Sequence, residues 1–429
     1  MRTILKNVNL INGHKDMIVQ PNMDIVIDQQ TIMDIGQNLS VQNEDNVIDC
    51  TGQFVCPGLI NMHVHLPGNG FPKIVELDNT KLAQAVLHSH IMRQVCTTIC
   101  KRSVEVALAS GVTTIRAVGG IGDIDSQIRD LVNQGKIKGP RMYVSNMAVT
   151  VPKGHMAGSV AYPAISVADA VRFVDQTIAQ KPDLIKLMIT GGIMDSMVKG
   201  EPGILRMPQE YVKACCDRAH EKGYKVAAHV ESTEGLQIAL ENGVDTIEHG
   251  APTTSDILYQ FKKNHASLIT TLSPCIPYAK FDQKITRVND ITYFNAQVVM
   301  NGIIENARSA LEHDIPVGLG TDTVVPYITH YDMWRELVYF HKLVGVEPSF
   351  ALYSATLGNA TIAGCDEVTG SIDIGKSADM ILLNANPLED LSVLRSVETV
   401  IFRGKVWKNP VIKKNMQCEK LLDAYMNTL

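Results

Sequence analysis

The pattern of apolar and polar positions divides the chain into three stretches with different periods. In the first, short runs of aliphatic and β-branched residues at 3–11, 23–27, 31–35 and 47–49 are separated by turn residues such as Gly13. That pattern predicts small antiparallel strands. The last stretch has the same character, with strands expected at 379–383, 397–402 and 405–407 and turns at Gly375-Lys376 and Arg403-Gly404. Short strands need a partner sheet, so the two chain ends are expected to complete one small β domain, a β-sandwich.

Between the ends, apolar strands alternate with longer stretches of helical period, the signature of parallel βα units. Strands are expected at 54–65, 113–118, 141–149, 184–189, 225–230, 246–249, 268–272 and 317–320. Helices are expected over 79–110, ending at Gly111, over 167–180, ending before Pro182, and over 208–222, ending at Gly223. Eight strands, most followed by a helical pattern, point to an α/β chain with a closed (β/α)8 TIM-like barrel. The expected domains are residues 1–56 and 365–429 as the two parts of the small β domain, with 57–364 as the barrel.

Composition removes several classes. The 429 residues are 45% hydrophobic and 20% charged, without a low-complexity tract, which fits an ordinary folded protein. A net charge of -6 is spread over interspersed acids and bases, so no basic stripe exists for nucleic acid. No apolar run reaches the roughly 18 to 20 residues that span a bilayer, and no membrane partner is expected. Residues 1–13 lack an apolar signal core and read as a strand. Nine cysteines without a C-x-x-C pair, in so long a chain, fit a reducing cytoplasm.

The chemistry gathers where a βα barrel concentrates it, at the C-terminal ends of strands. His63 and His65 close the first strand, Lys186 lies in the fourth, His229 ends the fifth, His249 ends the sixth and Asp322 follows the eighth. His63-Val64-His65 on a strand puts both imidazoles on one face, able to share a metal. Alone, that pair reads more readily as hydrogen-bonded barrel lining. The other strand-end positions carry the metal reading, since His88, His90 and His220 fall on helices instead. Imidazole and carboxylate together suit Zn²⁺, with Mn²⁺, Co²⁺ or Fe²⁺ compatible by ligand type.

Lys186 is the unusual member. An ammonium beside divalent ions is repelled and has no lone pair to offer. Carbamylation by CO₂ would make it an anionic bridge for two metals. The bland alternative is a lysine neutralised by Asp183 or Asp195, or one snorkelling to the surface.

These residues, with 54–65, Gly111-Val-Thr-Thr-Ile-Arg, Lys186-Leu-Met-Ile-Thr-Gly-Gly, Ile247-Glu-His-Gly, Gly320-Thr-Asp and Gly375-Lys-Ser-Ala-Asp-Met, resemble the amidohydrolase superfamily over nearly the whole chain. The similar branch contains Xaa-Pro dipeptidases, arginine carboxypeptidases and ochratoxinase-like enzymes. The resemblance implies that His63, His65 and Asp322 bind the more buried metal, that carbamylated Lys186 bridges, and that His229 and His249 bind the second. It gives Asp322 a further task as proton shuttle. Relatives often carry Arg-Asp-Leu-Gly-Gly after strand two and a second His after the strand-five ligand. Here Arg116-Ala117-Val118-Gly119-Gly120 and Val230-Glu231 stand instead.

His155, in Pro152-Lys-Gly-His-Met-Ala-Gly, is similar to the branch's Gly-Gly-His-Gly loop, where the histidine supports the oxyanion or the substrate carboxylate. Tyr278 and His330 stand where relatives place substrate contacts, although Tyr278 reads equally as a packed aromatic in a Pro-bounded loop. Gly119-Gly120-Ile121-Gly122 lacks the lysine and spacing of a phosphate loop and reads as a substrate-lining turn. The function expected is a binuclear hydrolase cleaving an amide bond of a small carboxylate-bearing substrate, a dipeptide or an N-acyl amino acid. A hydrolytic deaminase or cyclic-amide hydrolase on the same metals is the nearest rival, and a non-catalytic scaffold the other. The family resemblance also implies a homo-oligomer.

Overall fold

The structure is a computed structural model that describes residues 2–72 and 78–429. Its centre is built from parallel strands. Leu59–Val64, Val112–Ala117 and Arg141–Val144 form one sheet, in that order. A second sheet runs in the order Ala161–Pro163, Ala148–Thr150, Ile185–Met188, Val226–Val230, Thr246–His249, Ser267–Thr270 and Val317–Leu319. Leu59–Val64 and Val112–Ala117 are buried along their whole length, as strands covered on both faces must be.

Two joints relate the sheets. Arg141–Val144 and Ala148–Thr150 are one expected strand, interrupted where Asn146 takes φ +57°. Its side chain instead bonds Ser126 and the Gln180 carbonyl, so the break is held by its own hydrogen bonds. At the other joint, Asn359 Nδ2 donates to the Ile60 and Leu319 carbonyls at 2.7 and 2.9 Å, stitching the first strand to the last. Gly320 passes so near the first strand that a Cβ there would lie 2.5 Å from His63 Cβ, so only glycine fits. The arrangement is an α/β fold consistent with a TIM-like barrel.

Helices cover the strands by the expected periodicity. Val167–Ile178 buries Ala170, Val174 and Thr177 and starts at Ser166, whose side chain accepts from Asp169 N. Two expected elements are split. Residues 79–110 form Asn79–His88 and His90–Ala109, because Ser89 turns extended and caps the second helix through Met92 N. Residues 54–65 divide at Gly58, where a Cβ would meet the Thr113 side chain at 2.2 Å. Leu59–Val64 joins the parallel strands, while Phe54–Pro57 pairs with Thr3–Ile11 and Met380–Leu383.

That pairing joins the two chain ends in one eight-stranded sheet, together with Val19–Asp28, Thr31–Gly36, Asn46–Asp49, Thr399–Phe402 and Lys405–Lys408. Thr31 bridges Ser377, so the sheet curls around a core that includes Leu5, Leu10, Ile25, Ile32, Met380 and Ile401. The final helix, Met416–Met426, leaves this sheet: Glu419 and Asp423 pair with Arg335 of the helix Met333–Tyr339. Among the described residues no helix is long and apolar enough to cross a membrane.

Candidate active site

The strand ends converge on one buried cluster. Strand register sets Met188 against His229 and Val230 against His249, with Lys186 two residues deeper. His63 and His249 ring centroids are 4.9 Å apart, and those of His229 and His249 are 4.6 Å apart. Asp322 Oδ1 lies 3.2 Å from His65 Nε2 and 3.5 Å from His63 Nε2. Donor atoms of His63, His249 and Asp322 fall within 4.8 Å of one another, as do those of His229, Glu231 and His249. His249 and Asp322 both take positive φ, +70° and +50°, a costly conformation that turns each side chain out of its strand line.

The rings are fixed from behind. His63 Nδ1 donates to Glu248 Oε2 at 2.7 Å, and His65 Nδ1 to the Gly119 carbonyl at 2.8 Å, leaving each Nε2 lone pair toward Asp322. His249 Nδ1 pairs with Thr271 Oγ1 at 2.7 Å. His229 differs: its Nε2 donates to the Gly191 carbonyl at 3.1 Å, which frees Nδ1. Glu248 is anchored in turn by Arg116 Nη2 at 2.6 Å. Glu248, Arg116 and Thr271 had no role in the sequence reading. Glu248 stands inside the Ile247-Glu-His-Gly segment, but nothing in a linear chain tells that it faces His63.

Burial dominates the electrostatics. It pushes His249 down to about 4, and with the neighbouring cations it holds His63 and His229 well below the usual imidazole range. Burial opposes ionisation of Asp322 too, yet the surrounding histidines hold it far below the usual carboxylate range. Lys186 is 1% exposed, and burial, offset by Glu248, brings it down to about 8. Its Nζ has no hydrogen-bond partner among the described residues. Neither partner suggested by the bland reading serves it: Asp183 pairs with Arg129 Nη1 at 2.8 Å, and Asp195 with His155 Nδ1 at 2.5 Å.

His155 stacks on His229 with centroids 4.1 Å apart and 8° between planes, which brings it to the cluster. Asp195 also accepts from Gly192 N at 2.9 Å, so this aspartate orients the histidine from a fixed loop. Tyr278 lies in the helix Cys275–Lys280 within the apolar core. His330 is buried and donates from Nε2 to the Gly68 carbonyl at 2.9 Å, holding the loop after the first strand. Gly119 serves the cluster through its carbonyl; a Cβ there would lie 2.9 Å from His65 Cε1.

The donor set fits divalent metal. Imidazole nitrogens with open lone pairs and a shared carboxylate are grouped at ligand spacing, and an orphaned buried amine sits beside them. Residues 54–407 match the amidohydrolase family. The chain therefore belongs to the amidohydrolase family and is a hydrolase acting on carbon–nitrogen bonds. It is 26% identical to the ochratoxinase of Aspergillus niger over 335 residues, covering 71% of this chain and 67% of that protein. A candidate prolidase from Bifidobacterium longum superposes with TM-score 0.87 at 33% identity, covering 99% of this chain and 98% of the other. A Xaa-Pro dipeptidase with methionine bound in its active site gives TM-score 0.83 at 29% identity, covering 95% of this chain and all of the other, 100%.

Proposed function

We propose that this amidohydrolase is binuclear and cleaves the amide bond of a small carboxylate-bearing substrate, a dipeptide or an N-acyl amino acid. The carrying observation is Lys186: a buried amine without a hydrogen-bond partner among the described residues, beside histidines whose lone pairs face inward. Its neutral form attacks the carbon of CO₂, forming an N–C bond and losing a proton to solvent, and the resulting carbamate is an anion in place of a cation. His63, His65 and Asp322 would hold one ion, His229 and His249 the other, with the carbamate between them. Such ions, Zn²⁺ by the donor set, supply Lewis-acid polarisation and a water acidified toward neutrality.

The chain's own residues handle the proton and the substrate. Asp322 takes the proton of the attacking water on its carboxylate and returns it to the leaving nitrogen. His155, oriented by Asp195, directs its Nε2 to the substrate carbonyl oxygen or carboxylate. Tyr278, packed at the edge of the apolar core, and His330, bonded to the Gly68 carbonyl, stand as further proposed substrate contacts beside His155. Resemblance to a Xaa-Pro dipeptidase supports a dipeptide-sized substrate. The same reading makes 57–364 a closed (β/α)8 barrel and unites 1–56 with 365–429 in a small β-sandwich domain, supported by the Asn359 stitching and the curled sheet.

The test is a screen of Zn²⁺-loaded protein in bicarbonate against dipeptides, N-acyl amino acids, lactams and amino-heterocycles. Release of a new amino acid from the first two groups is expected. Ammonia without a new amino acid would replace this reading with a deaminase, and protein that takes up no Zn²⁺, Mn²⁺ or Co²⁺ would replace it with a scaffold.

A further inference from the structure

Glu336, in the helix Met333–Tyr339, has a fully buried side chain that takes no part in the proposed chemistry. Its carboxylate accepts from Leu272 N at 2.7 Å, Ser273 N at 2.8 Å and Ser273 Oγ at 2.5 Å. These donors lie just past the strand Ser267–Thr270, 64 and 63 residues away along the chain. A buried carboxylate is costly unless donors meet it, and here three donors on two consecutive residues form a clamp. The helix that carries it is itself anchored. The adjacent Arg335 pairs with Asp332 and with Glu419 and Asp423 of the terminal helix.

The residue just before the clamp is Thr271, also fully buried. His249 Nδ1 donates to its Oγ1 at 2.7 Å, which leaves His249 Nε2 for an ion. One peptide bond joins Thr271 to Leu272, so any shift of the clamped backbone carries Oγ1 off the ring. Glu336 also steadies the entry to the short helix Cys275–Lys280, where Cys275 N and Ile276 N bond the Leu272 and Ser273 carbonyls. A residue serving that helix alone would act without regard to Thr271 and His249.

We propose that Glu336 is a positioning residue for one of the two metal ions. By clamping Leu272 and Ser273 it keeps Thr271 Oγ1 on His249 Nδ1, and so keeps His249 Nε2 aimed at the ion. The proposal rests on the binuclear reading and adds to it a residue that touches neither metal nor substrate.

Zn²⁺ affinity is measured by chelator competition in bicarbonate for wild type, Glu336→Gln, Thr271→Val and the double variant. Each single substitution is expected to weaken one ion about tenfold and the other less than about twofold. The double variant is expected to lose no more than either single one, because both break the same bond. Independent losses, near a hundredfold in the double variant by the same arithmetic, would overturn the proposal. Equal weakening of both ions, or an unchanged affinity in Glu336→Gln, would overturn it too. Where Glu336→Gln fails to fold, Ser273→Ala removes one bond of the clamp. It is expected to weaken the ion affected by Thr271→Val about threefold, and no weakening there would overturn the proposal. A wild type that takes up a single ion would refute the binuclear reading, and the positioning is then read without metal, from ring ¹⁵N signals of histidine-labelled protein. His249 is expected as one fixed Nδ1–H tautomer in wild type and as a mixture in Glu336→Gln. A mixture in wild type would overturn the positioning role.

Discussion

At the scale of single residues, each ring nitrogen in the cluster is set by what the other nitrogen touches. Glu248 holds His63 at 2.7 Å while itself tied to Arg116 at 2.6 Å. Glu248→Gln is expected to weaken metal binding about 10- to 100-fold, read by chelator competition, because it loosens the ring without removing a ligand. Asp195 plays the same part for His155. Asp195→Asn should lower kcat/KM roughly tenfold with metal content unchanged, since the carboxylate that accepts from His155 and positions its ring is lost while every proposed metal ligand is kept. His63, His65, His229 and His249 were legible in the chain because strand-end placement has a visible period. Glu248 and Asp195 were not, because their partners lie 185 and 40 residues away. Glu231 was visible only as a departure from the family pattern, and its place at ligand spacing to His229 and His249 shows only in the fold.

At the scale of elements, the strand and helix positions were readable and the breaks were not. A helical period runs through 79–110, but Ser89 can satisfy Met92 N with its side chain, and that local bond ends one helix and starts the next. Ser89→Ala is expected to cost about 1 kcal/mol of stability, seen as earlier loss of structure in denaturant, with activity unchanged. The break at Gly58 has a different cause. Apolar residues continue on both sides, yet Thr113 leaves no room for a side chain there, and the chain passes from one sheet to the other. Gly320 is the counterpart at the closing joint, and Gly320→Ala should cost both stability and activity by displacing His63. Rising thermal stability in that variant would contradict the close approach.

At the scale of the whole molecule, the chain ends frame the reactive centre from outside it. The pairing of Phe54–Pro57 with Met380–Leu383 was foreshadowed by the matching short-strand pattern at both ends. The terminal helix was not, because its attachment depends on charge: Arg335, 1% exposed, pairs with Asp332, Glu419 and Asp423 at 3.2, 3.3 and 2.7 Å. Arg335→Met leaves the buried Asp332 without its ion pair, while Arg395 still holds Glu419 and Asp423; a loss on the order of 3 kcal/mol is expected, with residues 409–415 more open to limited proteolysis. The reactive centre itself rests on one group that composition and periodicity could only mark as odd. Metal content per chain, measured on wild type and Lys186→Ala after loading with Zn²⁺ in bicarbonate, tests it most directly. Two ions in the wild type and about one in the variant, with the second partly restored by a short-chain carboxylic acid, are the result predicted from a carbamate bridge. An undiminished metal content in Lys186→Ala would contradict it.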